Sequence, residues 1–269
     1  MEKTKITFSV FTKPWKMPIE TLGPFVAGLG FDGIELPVRP GYPVEPEDVA
    51  RLPQAVKKLG ESGVKVCSIA GPTDEKTIAA CSEAGVPIIR IMVGIGPEGY
   101  LASVARTRRE FDKLLPVLEK YQVKIGVQNH SGAFVVNAMG LHHLLDGFDP
   151  HLIAGVWDAA HNALRGEEPE LGLDIVWPHL GMVNLKNAIW VRKNAPKKDS
   201  PQLTGGFAEW EPYWIGAREG LACWPRVIAE LKRRSYQGVV CLTAEYSDQA
   251  AVNTSIVADL AFARSLFAN

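Results

Sequence analysis

Residues Pro87–Gln128 read PIIRIMVGIGPEGYLASVARTRREFDKLLPVLEKYQVKIGVQ, and how this stretch divides decides the fold. It opens on PIIRIMV and closes on VKIGVQ, two short apolar runs rich in Ile and Val, which is strand composition at strand length. Between them, LASVARTRREFDKLLPVLEKY returns apolar residues at three- and four-residue steps, predicting an amphipathic helix with a Leu-rich inner face. Strand, helix, strand in this order is a unit of a parallel sheet. The alternation recurs along the chain. Further strands are expected at KITFSVF from Lys5, DGIEL from Asp32, VKVCSIA from Val64, LIAGVWD from Leu152, MVNLK from Met182 and VVCLTAEY from Val239. Helical segments such as PIETLGPFVAGLG and PEDVARLPQAVKKLGESG fill the gaps. Eight units in 269 residues predict one α/β domain over residues 1–269, a single closed (β/α)8 TIM barrel, with an open doubly wound sheet as the competing arrangement. The insertion RKNAPKKDSPQLTGGFAEWEPYWIGAREG, between the seventh and eighth strands, is expected to form a lid or rim whose Trp and Tyr side chains line the mouth.

A chain that is 46% hydrophobic can bury a large core. Its 29 basic and 30 acidic residues leave a formal net charge of -1 with no basic tract, which argues against nucleic acid and for a small ligand. Cys67, Cys81, Cys223 and Cys241 show no CxxC spacing, so reduced thiols and a cytoplasmic location are expected. The most apolar stretch, VPIIRIMVGIG, is short and broken by Arg90, so neither a signal peptide nor a membrane span is expected. The number of subunits is left open, a homo-oligomer included.

In a barrel of this kind chemistry gathers at the carboxyl ends of the strands. Those ends carry Glu35, Gln128 with His130, Asp158 with His161, Asn184 and Lys186, and Glu245, while FTKPWK adds Lys13 and Trp15 and PVRPG adds Arg39. Any one of them could be a cap or a rim charge, and Asp158 has the position of a helix N-cap. Polar residues at so many strand ends together point to a site.

The segments GFDGIELPVRPG, QNHSG, WDAAH, NLKN and LTAEY together resemble the xylose isomerase-like TIM barrels, a family of sugar and sugar-phosphate isomerases and epimerases, over nearly the whole chain. The resemblance implies four metal ligands at strand ends, usually Glu, Asp, His and Glu. Carried across, these fall on Gln128, Asp158, Asn184 and Glu245, so two of the four depart from the pattern. A neutral-amide, all-oxygen set suits a hard ion, so the cofactor expected is weakly bound Mg²⁺ or Mn²⁺, with no metal as the alternative. Gln128 cannot accept a proton, which leaves Glu245, His161 and Lys186 as the expected catalytic groups. Lys13, Trp15, Glu35, Arg39, His130 and Trp190 are the expected contacts to a small carbohydrate, the two cations suiting a phosphate or carboxylate and the Trp rings an apolar sugar face.

The activity implied is isomerisation or epimerisation of a sugar, sugar phosphate or oxidised sugar by metal-assisted removal of the proton next to a carbonyl. Two alternatives stand beside it: a lyase or dehydratase sharing that first step, and a non-catalytic sugar-binding barrel with a degenerate metal site. The family's abasic-site endonucleases are disfavoured by the near-zero charge.

Overall fold

The computed structural model of the protein describes residues 6–193 and 209–268. Eight parallel strands close into a barrel: β1 (Ile6–Phe11), β2 (Gly33–Pro37), β3 (Lys65–Ala70), β4 (Ile88–Met92), β5 (Lys124–Gln128), β6 (Ile153–Asp158), β7 (Leu180–Leu185) and β10 (Gly238–Leu242). Strand β10 pairs with both β7 and β1, sealing the ring. The (β/α)8 expectation therefore holds. Each expected strand is present within a few residues of its anticipated start, because buried parallel strands read as continuous apolar runs.

Helices cover the outside, from α1 (Ile19–Leu29), α2 (Leu52–Gly60), α3 (Glu75–Ala84) and α4 (Tyr100–Tyr121) to α5 (Ala138–Leu145). Two short helices, α6 (Ala159–Ala163) and α7 (Pro169–Val176), follow β6, and α8 (Trp224–Arg233) and α9 (Val252–Ala268) flank β10. Helix α1 stops at Gly30, whose φ of +91° closes a left-handed cap.

The expected lid differs in form. Its middle, residues 194–208, lies outside the described residues, but its flanks build an antiparallel hairpin of β8 (Asn187–Arg192) and β9 (Trp210–Ile215). The hairpin base is fixed by buried Asn187, which donates to the Ala217 and Ala222 carbonyls and accepts from the Ala188 and Ala222 amides. Gly220 must be glycine there, since a Cβ would lie 2.1 Å from Asn187 Oδ1.

Residue alternation splits the core in two. Outward residues such as Ile125, Val127, Val183 and Leu185 join the large cluster under the helices. Inward residues Phe11, Ala70, Ile88, Val156, Met182 and Cys241 form a separate apolar plug within the barrel. Gly126 leaves room for that plug, because a Cβ would sit 2.7 Å from Val156. Two residues further along β4, β6 and β7, on the same inward face, stand Arg90, Asp158 and Asn184. The site lies on an apolar floor.

Candidate functional site

The inward side chains at the carboxyl ends form one chain of polar contacts. It starts at Glu35, buried in the middle of β2, whose carboxylate accepts from Arg90 Nε at 2.8 Å and pairs with Arg90 Nη2 at 2.7 Å. Ser68 adds a hydroxyl to the same carboxylate at 3.0 Å. Arg90 also lies over the Phe11 ring and donates from Nη1 to Gln128 Oε1. Gln128 then donates from Nε2 to Asp158 Oδ2 at 2.8 Å. That contact explains the amide at 128. One end must accept from a cation and the other must donate to an anion, and a carboxylate can only accept.

Asp158 ends β6 and caps α6, accepting from the His161 amide at 3.0 Å on Oδ1. It is thus both the N-cap and a site residue, and Asn129 clamps its backbone with a bond from the Asp158 amide at 2.7 Å. Burial raises its pKa above the usual carboxylate value against the pull of Lys186. His161 is fully buried. Its Nδ1 accepts from the Ser131 amide at 3.1 Å and lies 3.0 Å from Ser131 Oγ. An accepting Nδ1 puts the proton of the neutral ring on Nε2. Desolvation, then the charge of Lys186, hold the His161 pKa well below its ordinary value, so the ring is neutral near pH 7. His130 stacks near it, with ring centres 4.0 Å apart.

His161 Nε2 faces Lys186 Nζ at 3.4 Å, and Lys186 Nζ sits 2.8 Å from Glu245 Oε2 and 3.7 Å over the Trp214 ring. Lys13 pairs with the other oxygen, Oε1. Burial would raise the Glu245 pKa, but the two ammonium groups outweigh it and hold it at about 2. Just before Glu245, Ala244 has a φ of +51°, a left-handed conformation that costs an L-residue about 1–2 kcal/mol. Such strain is characteristic of backbone held in place around a site.

The structure therefore joins Glu35, Gln128, Asp158, His161, Lys186, Glu245 and Lys13 in one network, with His130 beside it. Asn184 is adjacent in register to Asp158 and buried, yet neither its Oδ1 nor its Nδ2 has a partner among the described residues. Arg39 packs its guanidinium 5.6 Å from the Phe11 ring, which Arg90 also approaches. The tryptophans are placed otherwise than expected. Trp15 is buried, spends its N–H on Asn253 and packs edge-on to Phe25. Trp190 donates to the Leu164 carbonyl and packs against Ala160, Leu164 and Ala188. Trp157 is likewise packed. The aromatic that does meet the network is Trp214, on β9, within the insertion whose Trp and Tyr side chains are expected at the mouth. Arg90 is a site residue outside the expected set. Its signal was a lone Arg inside an apolar run, at a position whose parity points inward.

The chain matches the family described as xylose isomerase-like TIM barrel over residues 24–266. It belongs to that family. No curated protein sequence matches it. Among solved structures, it resembles D-psicose 3-epimerase from Clostridium cellulolyticum H10 with a TM-score of 0.71 at 12% identity, covering 97% of this chain and 99% of that one. The 3-keto-D-glucoside 4-epimerase YcjR from E. coli gives 0.69 at 14%, covering 97% and 100%. The probable 3-DHS dehydratase AsbF from Bacillus anthracis gives 0.68 at 15%, covering 95% and 97%. Identities this low establish the shared fold. No described helix is long and apolar enough to cross a membrane.

The family resemblance implies a divalent metal held by Gln128, Asp158, Asn184 and Glu245, and the donor chemistry here does not fit one. Gln128 Oε1 is taken by Arg90, both Glu245 oxygens by lysines, and both Asp158 oxygens by donors. No group of three or more His, Cys, Asp or Glu among the described residues has metal-binding geometry. A bare cation on Asn184 would use Oδ1 and leave Nδ2 still buried without an acceptor.

Proposed function

We propose that the protein interconverts isomers of a sugar-derived hydroxy-carbonyl compound through an enediolate, with Lys186 and His161 as the electrophiles and Glu245 as the proton carrier. One observation carries this. The Lys186 ammonium and the His161 Nε2–H are two donors 3.4 Å apart with no acceptor between them, at the carboxyl end of a barrel. A carbonyl oxygen entering there would accept from both, and an enediolate oxygen would accept more strongly, which is the differential that accelerates proton abstraction. A neutral imidazole is suited to this because it donates without first having to lose a charge.

In the step proposed, the C–H proton beside the carbonyl passes to a Glu245 oxygen and the C–H electrons move into the carbonyl, leaving the oxygen anionic between Lys186 and His161. Passage of the neighbouring hydroxyl's proton to that oxygen, and return of the carbon proton from Glu245 to the former carbonyl carbon, then give the isomer. Glu245 at about pKa 2 is a weak base in the free site, but a substrate oxygen that draws Lys186 away removes one of its two stabilising charges. A single mobile carboxylate favours transfer on one face, as in aldose–ketose isomerisation, over epimerisation with acids on both faces. The same geometry favours β-elimination as the second reading, because Lys186 beside Glu245 can protonate a leaving hydroxyl.

The test is deuterium wash-in followed by NMR, using a panel of aldoses, ketoses, their phosphates and keto-sugars in D2O. Exchange next to the carbonyl, with isomer formed and loss of both in Glu245→Gln, supports isomerisation. Exchange with loss of water supports the lyase. A sugar that binds tightly and never exchanges would reduce the protein to a binding barrel.

A further inference from the structure

We infer that the place of the divalent ion is filled in this enzyme by the protein's own cations, Lys186 foremost, so that its carbonyl chemistry needs no metal, and that Asn184 has become a reader of a substrate hydroxyl. The inference rests on the reading of this network as the reacting centre.

Charge supports the first half. The described network holds three cations, Lys13, Arg90 and Lys186, against three acids, Glu35, Asp158 and Glu245. It is already balanced, and a divalent ion would add two uncompensated charges to a buried space. Geometry supports it too. Lys186 Nζ bonds a carboxylate oxygen of Glu245, which the family resemblance makes a metal ligand, and lies 3.4 Å from His161 Nε2. That is a cation seated where a Lewis acid would act. Trp224 Nε1 bonds the Lys186 carbonyl at 3.2 Å and the Trp214 ring lies under the ammonium, so the group is held by packing rather than waving in solvent.

Asn184 supports the second half. Both ends of its amide are buried and unpartnered, and it lies two residues before Lys186 on β7. A bare ion answers one end only. A hydroxyl answers both, accepting from Nδ2 and donating to Oδ1, and hydroxyls flank the carbonyl in every hydroxy-carbonyl sugar.

The experiment begins with the wild-type protein stripped with EDTA and given one equivalent of Mn²⁺. The electron paramagnetic resonance signal of free Mn²⁺ should remain undiminished, and the melting temperature should not move, since a ligand preferring the folded state must raise it. Loss of the free signal with one ion retained per chain would overturn the inference whether or not any substrate is known. With a sugar that shows deuterium exchange, EDTA should change the rate by less than about twofold, while Lys186→Met should lower it by roughly 10²–10³-fold, as loss of a preorganised donor does. Lys186→Arg, which keeps the charge, should recover at least about tenfold of that loss, and Mn²⁺ should recover none; circular dichroism confirms that both variants fold. EDTA inactivation reversed by Mn²⁺, or full activity in Lys186→Met, would sink the proposal. Asn184→Ala should raise KM about tenfold with kcat nearly kept, and an unchanged KM would remove the hydroxyl-reading role.

Discussion

Two ion pairs of the same kind stand a few residues apart in this barrel and have opposite fates. Glu35 and Arg90 are 0% and 5% exposed, and the Arg90 guanidinium divides its donors between the carboxylate and Gln128 while Phe11 covers its face. Glu245 and Lys186 are 22% and 4% exposed, with a second lysine on the outer oxygen and an unaccepted donor, His161 Nε2–H, beside the ammonium. In the first pair both carboxylate oxygens and all three guanidinium nitrogens are engaged inside the barrel, so little is left for a substrate. In the second, valences stay open toward the mouth. Identical charges make a strut in one place and a reagent in the other, and the difference is whether the partners are exhausted.

The largest effect should come from breaking the strut. Arg90→Met leaves Glu35 buried without a cation and Gln128 without its donor, and should cost about 3–5 kcal/mol of stability by urea unfolding. Glu245→Gln should cost far less stability while removing activity. If Arg90→Met melts like wild type, the contrast between the pairs fails.

Next comes the amide that joins the two halves. Gln128→Glu keeps the acceptor for Arg90 but places a second carboxylate against Asp158 Oδ2, where Nε2 now donates at 2.8 Å. The expected loss is about 1.5–3 kcal/mol near neutral pH, the worth of a hydrogen bond to a charged group. It should shrink as pH falls, because protonating either acid restores a donor. A stability gain, or uptake of Mn²⁺ by this variant, would mean that the position still serves a metal.

Smaller, and confined to the reactive half, is a pH signature. Desolvation and Lys186 hold the His161 pKa well below 6.5 in the folded state. Below about pH 6.5 the unfolded chain then binds a proton that the native chain does not, so stability falls as pH falls, by up to about 1.4 kcal/mol per pH unit for one group. Glu245 runs on a separate window: its folded pKa of about 2 gives stability present above 4.5 and lost as pH drops below it. Between pH 6.5 and 5 the imidazole therefore acts without Glu245. His161→Gln should flatten the stability slope there, leaving the smaller contributions of His130 and His179, whose pKa values burial also lowers. An unchanged slope would show that His161 is not held neutral.

The strut was the less legible half in the sequence, for a physical reason. Asp158 ends β6, and His161, Lys186 and Glu245 follow the ends of β6, β7 and β10 within three residues, where polar residues in a barrel must be explained. Arg90 lies within an apolar run, where one charge reads as an interruption, and only the inward parity it shares with Ile88 marks it as a wall of the site. The eight strands were legible because burial on both faces leaves continuous apolar runs. The hairpin was not, since WEPYWI mixes polar and aromatic residues and among the described strands pairs with β8 alone, so Trp214 is expected as one of the mouth-lining aromatics but not as the platform under Lys186. Trp190 and Trp214 share one hairpin face and both pack against Ala160, Leu164 and Ala188, but only Trp214 also lies under Lys186, a distinction of one pleat that no composition rule carries.

The smallest effect should belong to Lys13, and it sharpens the comparison within the reactive pair itself. Lys13 and Lys186 hold opposite oxygens of one carboxylate, but the Lys13 side chain is 46% exposed against 4% for Lys186. Water can replace an ammonium that half faces solvent, so Lys13→Met should change stability by no more than about 0.5–1 kcal/mol, the usual worth of a surface pair. Its influence on catalysis should run through Glu245 alone: with one lysine gone the carboxylate becomes more basic, and deuterium exchange should move less than about tenfold, with the exchange-active pH range shifting upward at its acid edge. Lys186→Met, which removes the donor that faces the substrate oxygen, has no such route to compensation. The two variants assayed side by side, at low and high salt, separate a screening charge from a reacting one, since only an exposed charge should lose its effect as salt rises. Equal loss of exchange in both would place Lys13 against the substrate as well, and the reactive centre would then extend from β7 to the loop after β1.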